Sequence, residues 1–416
     1  MVPRRFLFPF LIPALFSTAL HPPPYHPRIL SLAFGSCHRR SFSHPSVWKT
    51  ISSLLDQTFP VFLWTGDAVY SHANLTKDRG SLDDLRYELR AMKEDESIGY
   101  AEFARRVRVE GVWDDHDYGR NDAGADLERK AQRKSLYLDF LGVDADDTRR
   151  TRDGGAYYSL TLGGERGVRI LFLDTRYERS EYYVPSVGGV YWIPFASVVA
   201  CLVRWITAGV LGLGKKHSGQ VLGEEQWRWL EEELKKSSAA AATVVVSSVQ
   251  VLTSNPFVEG WGHFPVERRR LLLALDGTPG LVLLSGDVHH AEVSADTLEV
   301  TSSGMTHSCT EPFYGFLSKF ILDQYGTHRK KGMYFTGRNF GTIKFDWKSM
   351  NMTVSVHDMI GNTVLRIDRK MGMPTKIDPE YLEDTALPNF DSSLQMRFIL
   401  LIIGICFFNI CKKIIS

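Results

Sequence analysis

Apolar and polar positions follow two rhythms along this chain. Short runs at residues 61–65, 108–113, 168–173, 243–247 and 281–285 are β-rich and mostly apolar on both faces. That is the pattern of strands in a sheet covered by helices. Between them stand stretches with helical spacing. Residues 224–236 open with acids, place Trp227, Leu230 and Leu234 on one face, and close on Lys235 and Lys236, an order that suits the helix dipole. The alternation predicts an α/β architecture. From about residue 298 the rhythm shifts to short strands, including 341–347, 352–357 and 364–369. These predict a second sheet packed face to face with the first: a two-sheet α/β sandwich with helices on its outer faces.

Several segments depart from this pattern. Within residues 1–21, Arg4 and Arg5 precede an apolar stretch from Phe6 to about Leu20, which reads as a signal peptide. Pro9 and Pro13 break the run and count against an uncleaved anchor. Within residues 396–413, the apolar run 398–411 ends at Lys412 and Lys413. It reads as a C-terminal transmembrane helix with a basic tail, with a buried core helix and a GPI signal as the other readings. Residues 374–395 read as a linker, which leaves 28–373 as the folded body. Inside it, the apolar insertion 187–216 carries Arg204 as its one charge before Lys215 and Lys216. Two readings stand for it: a buried helical insertion, or an interfacial element that touches a membrane. The sequons at Asn74 and Asn351, together with both ends, favour a glycosylated body facing the lumen of the secretory pathway or the cell exterior.

Composition narrows the function classes. A hydrophobic share of 44% and a charged share of 23% exclude wholesale disorder. Lys and Arg number 49 against 48 Asp and Glu, a net charge of +1, which gives no nucleic-acid footprint. Five scattered cysteines are too few for a disulfide framework. Of these, Cys37, Cys201 and Cys309 lie in the body, an odd number that leaves one as a free thiolate or a metal ligand.

Four predicted strand ends finish in metal-type residues: Gly35-Ser36-Cys37, Gly66-Asp67-Ala68-Val69-Tyr70, Trp113-Asp114-Asp115-His116-Asp117, and Gly286-Asp287-Val288-His289-His290. Ligands of α/β sheets collect at the carboxyl ends of strands, so these distant segments can converge. Each motif alone is weak, since Gly-Asp is commonly a turn. Three acids and a His within four residues are costly to bring together unless a cation offsets them. Carboxylates and imidazole suit hard cations, whereas a thiolate or phenolate favours a softer, redox-capable ion. Such ions lower the pKa of water and neutralise phosphoryl oxygens during in-line attack on a phosphate ester.

In this order, and with Asp174-Thr175-Arg176 after a fifth strand, the motifs of residues 30–305 resemble the PhoD-like alkaline phosphatases within the calcineurin-like metallophosphoesterase superfamily. Cys37 stands where the wider superfamily has Asp-x-His. The resemblance implies Fe(III) held by Cys37, Asp67, Tyr70 and His289, and Ca2+ at a second site with Asp67 bridging and Asp115 and Asp287 as ligands. Other divalent metals are also compatible with the second site. It places His116 where the superfamily has the His that contacts phosphate or protonates the leaving group, with Asp117 orienting it. Arg176 would clamp phosphate or pair with Asp174. Ser248 and Gln250 occupy a stretch where the superfamily often has a further ligand His. Asn121 and Asp122 face the site or form a turn, His263 is a surface residue or reaches the site from a loop, with the surface reading favoured, and His307 and Cys309 are structural.

The implied activity is hydrolysis of a small-molecule or lipid-linked phosphate ester, mono- or diester. A catalytically degenerate, membrane-tethered binding protein on the same fold is the alternative. An iron oxygenase suits the sequence less, because its ligands would be two His and one carboxylate.

Overall fold

A computed structural model describes residues 30–383, apart from 72–79, 191, 254, 295–297, 311–314 and 326–327. The expected signal peptide, the C-terminal helix and the sequon at Asn74 lie outside the described residues. Among those described, no helix is long and apolar enough to cross a membrane.

In chain order the strands are β1 (Ser31–Gly35), β2 (Val61–Thr65), β3 (Arg108–Val112), β4 (Tyr158–Leu162), β5 (Val168–Phe172), β6 (Ala242–Val246), β7 (Leu281–Ser285), β8 (Ala291–Ser294), β9 (Glu299–Ser302), β10 (Arg329–Phe335), β11 (Asn339–Asp346), β12 (Asn351–Asp358) and β13 (Thr363–Lys370). They form two sheets, ordered β13-β12-β11-β1-β2-β3 and β10-β8-β9-β7-β6-β5-β4. In the first, β1, β2 and β3 run parallel. In the second, β5, β6, β7 and β9 run parallel.

The C-terminal strands do not build a sheet of their own, as their late position predicted. β11 pairs antiparallel with the free edge of β1, from Ser31↔Lys344 to Phe34↔Gly341, and β12 and β13 follow it. Gly341 permits this approach, because a Cβ there would lie 2.1 Å from the Phe34 ring. β3 also differs from the pattern: as an edge strand it buries only Gly111 and Val112 fully.

Alternation along β5–β7 sorts the core. Val168, Ile170, Phe172, Val244, Val246, Val282 and Leu284 join one apolar cluster with Phe34, Phe62, Val354 and Ile367 of the first sheet. Leu171, Val245, Leu281 and Leu283 point the other way, into a cluster with Trp227 and Leu230 of helix Glu224–Ser237 and Leu271 and Leu275 of helix Pro265–Leu275. The layers are therefore sheet on sheet, with helices outside.

Two expectations about segments change. Residues 374–383, expected to open a linker, dock on the body: Ile377 is buried, Pro374 bridges Pro279, and helix Pro379–Glu383 lies where the Tyr381 carbonyl accepts from Arg268. The insertion folds as helix Ala196–Arg204 continued by a π-helical turn, Trp205–Val210. This helix is not buried as a whole. It turns Ala196, Ala200 and Arg204 inward and leaves the opposite face exposed at Leu202 and half-buried at Val198 and Val199.

Candidate metal centre

The carboxyl ends of β1, β2 and β3 meet those of β5, β6 and β7 along one edge of the sandwich. Backbone bonds fix the convergence: His38 N donates to Asp67 O at 2.9 Å, Gly286 N to Ser248 O at 3.0 Å and Gly304 N to Ser36 O at 3.3 Å. Four non-glycine residues there, Cys37, Asp67, Asp287 and His289, have φ between 52° and 70°. Such left-handed conformations are uncommon outside glycine, though less so for Asp and His, and cluster at functional sites. Here they turn each side chain off its strand end. Gly66 lets the β2 turn touch the β3 turn, since a Cβ on it would meet the Asp114 Cβ at 2.6 Å, and its φ is +104°.

The site is built around Asp67. Its Oδ2 accepts from Tyr70 Oη at 3.1 Å and lies 3.6 Å from Cys37 Sγ, while Oδ1 accepts from His116 N at 3.2 Å. Ligand atoms of Asp67, Asp115 and His116 lie within 4.8 Å of one another, as do those of Asp114, Asp115 and Asp287, and those of Asp115, Asp122 and Glu259. His289 belongs to none of these groups. Its ring sits 4.5 Å from that of His307, which lies 5.0 Å from the Tyr70 ring. His307 thus packs in the wall of the site, against the Tyr70 and His289 rings.

The electrostatics of the cluster suit a cation. Burial, then Asp115, Asp114, Asp117 and Asp287, push the Asp67 carboxyl well above the usual range. Burial likewise raises Asp115 and Asp287, with neighbouring acids adding to it. Burial and then Asp67 raise the Cys37 thiol, and burial holds His289 down at about 4. Asp115 Oδ1, Asp114 Oδ2 and His289 Nδ1 are buried without a hydrogen-bond partner. Unpaired buried acceptors and mutually repelling carboxylates are costly alone and are satisfied together by cations. The donor set therefore fits metal ions.

Two assignments from the sequence change. Arg176 is fully buried and its guanidinium is engaged inside the protein: Nε donates to Asp114 Oδ1 at 2.5 Å and Nη2 to Glu259 Oε2 at 2.6 Å. The Asp174 carboxylate does not pair with its guanidinium but accepts the backbone N–H groups of Arg176, Tyr177 and Ala156, which turns Arg176 inward. Asp117 does not orient His116. Its two oxygens accept Ala68 N at 2.9 Å and Asp114 N at 2.5 Å, tying the β2 turn to the β3 turn. The His116 ring instead stacks on Tyr70 at 4.0 Å, with Nε2 3.7 Å from Asp115 Oδ1.

The weaker candidates also resolve. Ser248 donates to Asp114 Oδ1 at 2.7 Å, and Gln250 donates to Glu292 and Thr301, so neither faces the site as a ligand. Asn121 accepts from Ser197 of the insertion. Asp122 N donates to Asp115 Oδ2 at 2.7 Å, while its carboxylate pairs with Arg204 at 2.7 Å. His263 is buried rather than on the surface, with Nε2 3.0 Å from Val258 O.

Two residues were not signalled by any motif. Glu259 is buried and bonded to Arg176 and Tyr182. Burial alone would raise its carboxyl, but Arg176, Arg179 and Arg204 hold it far below the usual range. Arg39, two residues past Cys37, lies half-buried with its guanidinium 5.1 Å from the Tyr70 ring. Beside Asp122 opens a polar cavity of about 170 Å³ lined by Arg120, Asn121, Arg179 and Ser186.

No curated protein matches the chain in sequence. Among solved structures the chain is similar to "Structure of PhoD", with 16% identity, a TM-score of 0.53, and coverage of 89% of this chain and 78% of that one; at that identity the likeness speaks to fold alone. The PhoD-like phosphatase family matches residues 32–354, a span that holds every strand end of the site and most of the body, and the chain therefore belongs to that family of metal-dependent hydrolases of phosphoric esters.

Proposed function

We propose that the Asp67-centred cluster is the site where phosphate mono- and diesters are hydrolysed, on a body tethered to a membrane and facing the lumen or exterior. The observation that carries the reading is that Asp115 lies in two overlapping ligand groups, one with Asp67 and His116 and one with Asp114 and the half-buried Asp287, with unpaired carboxylate oxygens on Asp114 and Asp115. Cys37, Asp67, Tyr70 and His289 would hold Fe(III), and Asp67, Asp115 and Asp287 would hold Ca2+ or another divalent ion. Bound there, such ions lower the pKa of water and neutralise the phosphoryl oxygens.

The chain's own residues do the rest. Asp67 would serve both ions, and Asp115 is kept in place by the Asp122 amide. Arg176 and Ser248 fix Asp114 from behind. His116 Nε2 stands at the rim, with its side chain 12% exposed, and carries the proton that the leaving oxygen takes. Arg39 replaces Arg176 as the guanidinium that meets the phosphoryl group. Among the described residues it has no ion pair and its Nε is without a hydrogen-bond partner.

Two variants test these roles. His116→Ala should lower kcat by about 10²–10³-fold, the range of a lost general acid, while metal content stays at the wild-type level. Loss of metal instead would make His116 a ligand. Arg39→Ala should raise KM roughly tenfold or more with a smaller change in kcat, as expected for a group that binds phosphate before and during reaction. An unchanged KM would remove Arg39 from the site.

The reading as a whole is tested on the full chain with para-nitrophenyl phosphate and bis-para-nitrophenyl phosphate, with metal measured on the same sample. Chelator-sensitive hydrolysis supports it, and the ratio of the two rates sets the ester class. A metal-loaded protein inert to both would return the binding-protein alternative.

A further inference from the structure

The helix Ala196–Arg204 is amphipathic in the inverted sense. Its one charged side chain, Arg204, points inward and pairs with Asp122, and Ala196 and Ala200 share that buried face. The opposite arc carries the exposed Phe195 and Leu202 and the half-buried Val198, Val199 and Ile206, all apolar at helical spacing. Phe195 is 74% exposed and Leu202 46%. Trp192, one turn before the helix, is 70% exposed, and Leu211 and Leu213 after it stay exposed as well. A contiguous outward apolar stripe of this kind marks an interaction surface.

The chemistry of its surroundings selects the partner. Large aromatics beside aliphatics, followed by Lys215 and Lys216, are the composition of an element lying in a bilayer interface, with cations at headgroup level. The chain also carries the apolar run 398–411 ending in Lys412 and Lys413 beyond the described residues, which would hold the body beside a bilayer. We infer that the outer face of Phe195–Ile206, with Trp192, docks on a phospholipid surface and sets the mouth of the Asp67 site against it. The link to the site is short: Arg204 binds the Asp122 carboxylate, and the Asp122 amide binds Asp115 Oδ2. Ser197 on the same helix binds Asn121. The inference goes beyond the proposed ester hydrolysis and rests only on its membrane-tether clause. It implies that phosphate esters carried on amphiphiles reach the site from the bilayer.

The test uses the full chain reconstituted in phosphatidylcholine vesicles, with ordinary acyl chains or chains brominated near the headgroup. Bromine quenches indoles that enter the lipid, and Trp192→Phe, measured in parallel, isolates the Trp192 emission. That difference emission should fall at least twofold in brominated vesicles. Phe195→Ser with Leu202→Ser should abolish the fall while leaving para-nitrophenyl phosphate turnover unchanged. Unquenched Trp192 emission in protein that still floats with the vesicles overturns the docking and spares the tether. Protein that does not float overturns both, with the ester assay on the same sample reporting separately on the hydrolase reading. Trp192 shielded from bromine in a concentration-dependent dimer would assign the face to a second copy, and shielding in a monomer would assign it to the chain's own C-terminal run; either overturns the inference.

Discussion

Asp67→Asn is expected to abolish hydrolysis and to empty the site of metal. The substitution is nearly isosteric, and Asn tolerates the left-handed backbone that Asp67 adopts at φ 52°. The turn after β2 should therefore persist, and the effect reports on charge. Asp67 touches Cys37 and Tyr70 on one side and the His116 amide on the other, so if it serves both proposed ions, removing its charge weakens both at once. A loss of about 10³-fold or more in kcat/KM, roughly 4 kcal/mol, follows for a shared ligand. Stability should move the other way when metal is withheld. Asp67 sits among Asp115, Asp114, Asp117 and Asp287, each of which disfavours its ionised form. Neutralising it relieves that repulsion, so the metal-free variant should melt higher than metal-free wild type, while the rise in Tm that metal gives the wild type should vanish. A variant that keeps metal-induced stabilisation would displace Asp67 from the centre.

How far this site is legible in the sequence depends on the range of the interaction. Cys37, Asp67, Asp115 and Asp287 announce themselves because each follows a short apolar run, and in parallel sheets strand ends collect ligands. The strands themselves are legible for the same reason; β7 was expected at 281–285 and is found there. Which sheet a strand joins is a different matter. β11 pairs with β1 across three hundred residues, and nothing in its alternation distinguishes that neighbour from any other edge. Glu259 is illegible on the same grounds. It sits in a loop between a bridge at Gln250 and the turn at Trp261, and its role exists only because Arg176 arrives from 83 residues away. His307 and Arg39 reach the site as packing partners of Tyr70, and a ring contact leaves no spacing signal. Arg176 shows the converse error. Asp-Thr-Arg after a strand names the right neighbourhood, but the direction of the side chain is set by three amide bonds to Asp174, which turn it into the protein instead of toward solvent.

That direction makes Arg176 the residue whose loss should cost the most stability. It is the cation between Asp114 and Glu259, all three buried. Removing one partner of a buried, hydrogen-bonded network leaves uncompensated charge and costs about 3–5 kcal/mol. Arg176→Met should therefore lower the denaturant midpoint strongly, and Arg176→Lys should recover part of it, because an ammonium lacks the fork that reaches two carboxylates. The pH dependence follows from Glu259. Its folded carboxyl is held below the ordinary value of 4.5 by Arg176, Arg179 and Arg204 against the effect of burial. The stability it contributes is present above that value and is lost as pH falls toward its folded pKa. The gap between wild type and Arg176→Met should accordingly be widest near neutral pH and narrow below about 4.5. A phosphate clamp would behave otherwise: its loss would leave the midpoint in place and appear in KM. An Arg176→Met protein of wild-type stability with a raised KM would return Arg176 to the substrate and show that Asp114 does not need its support.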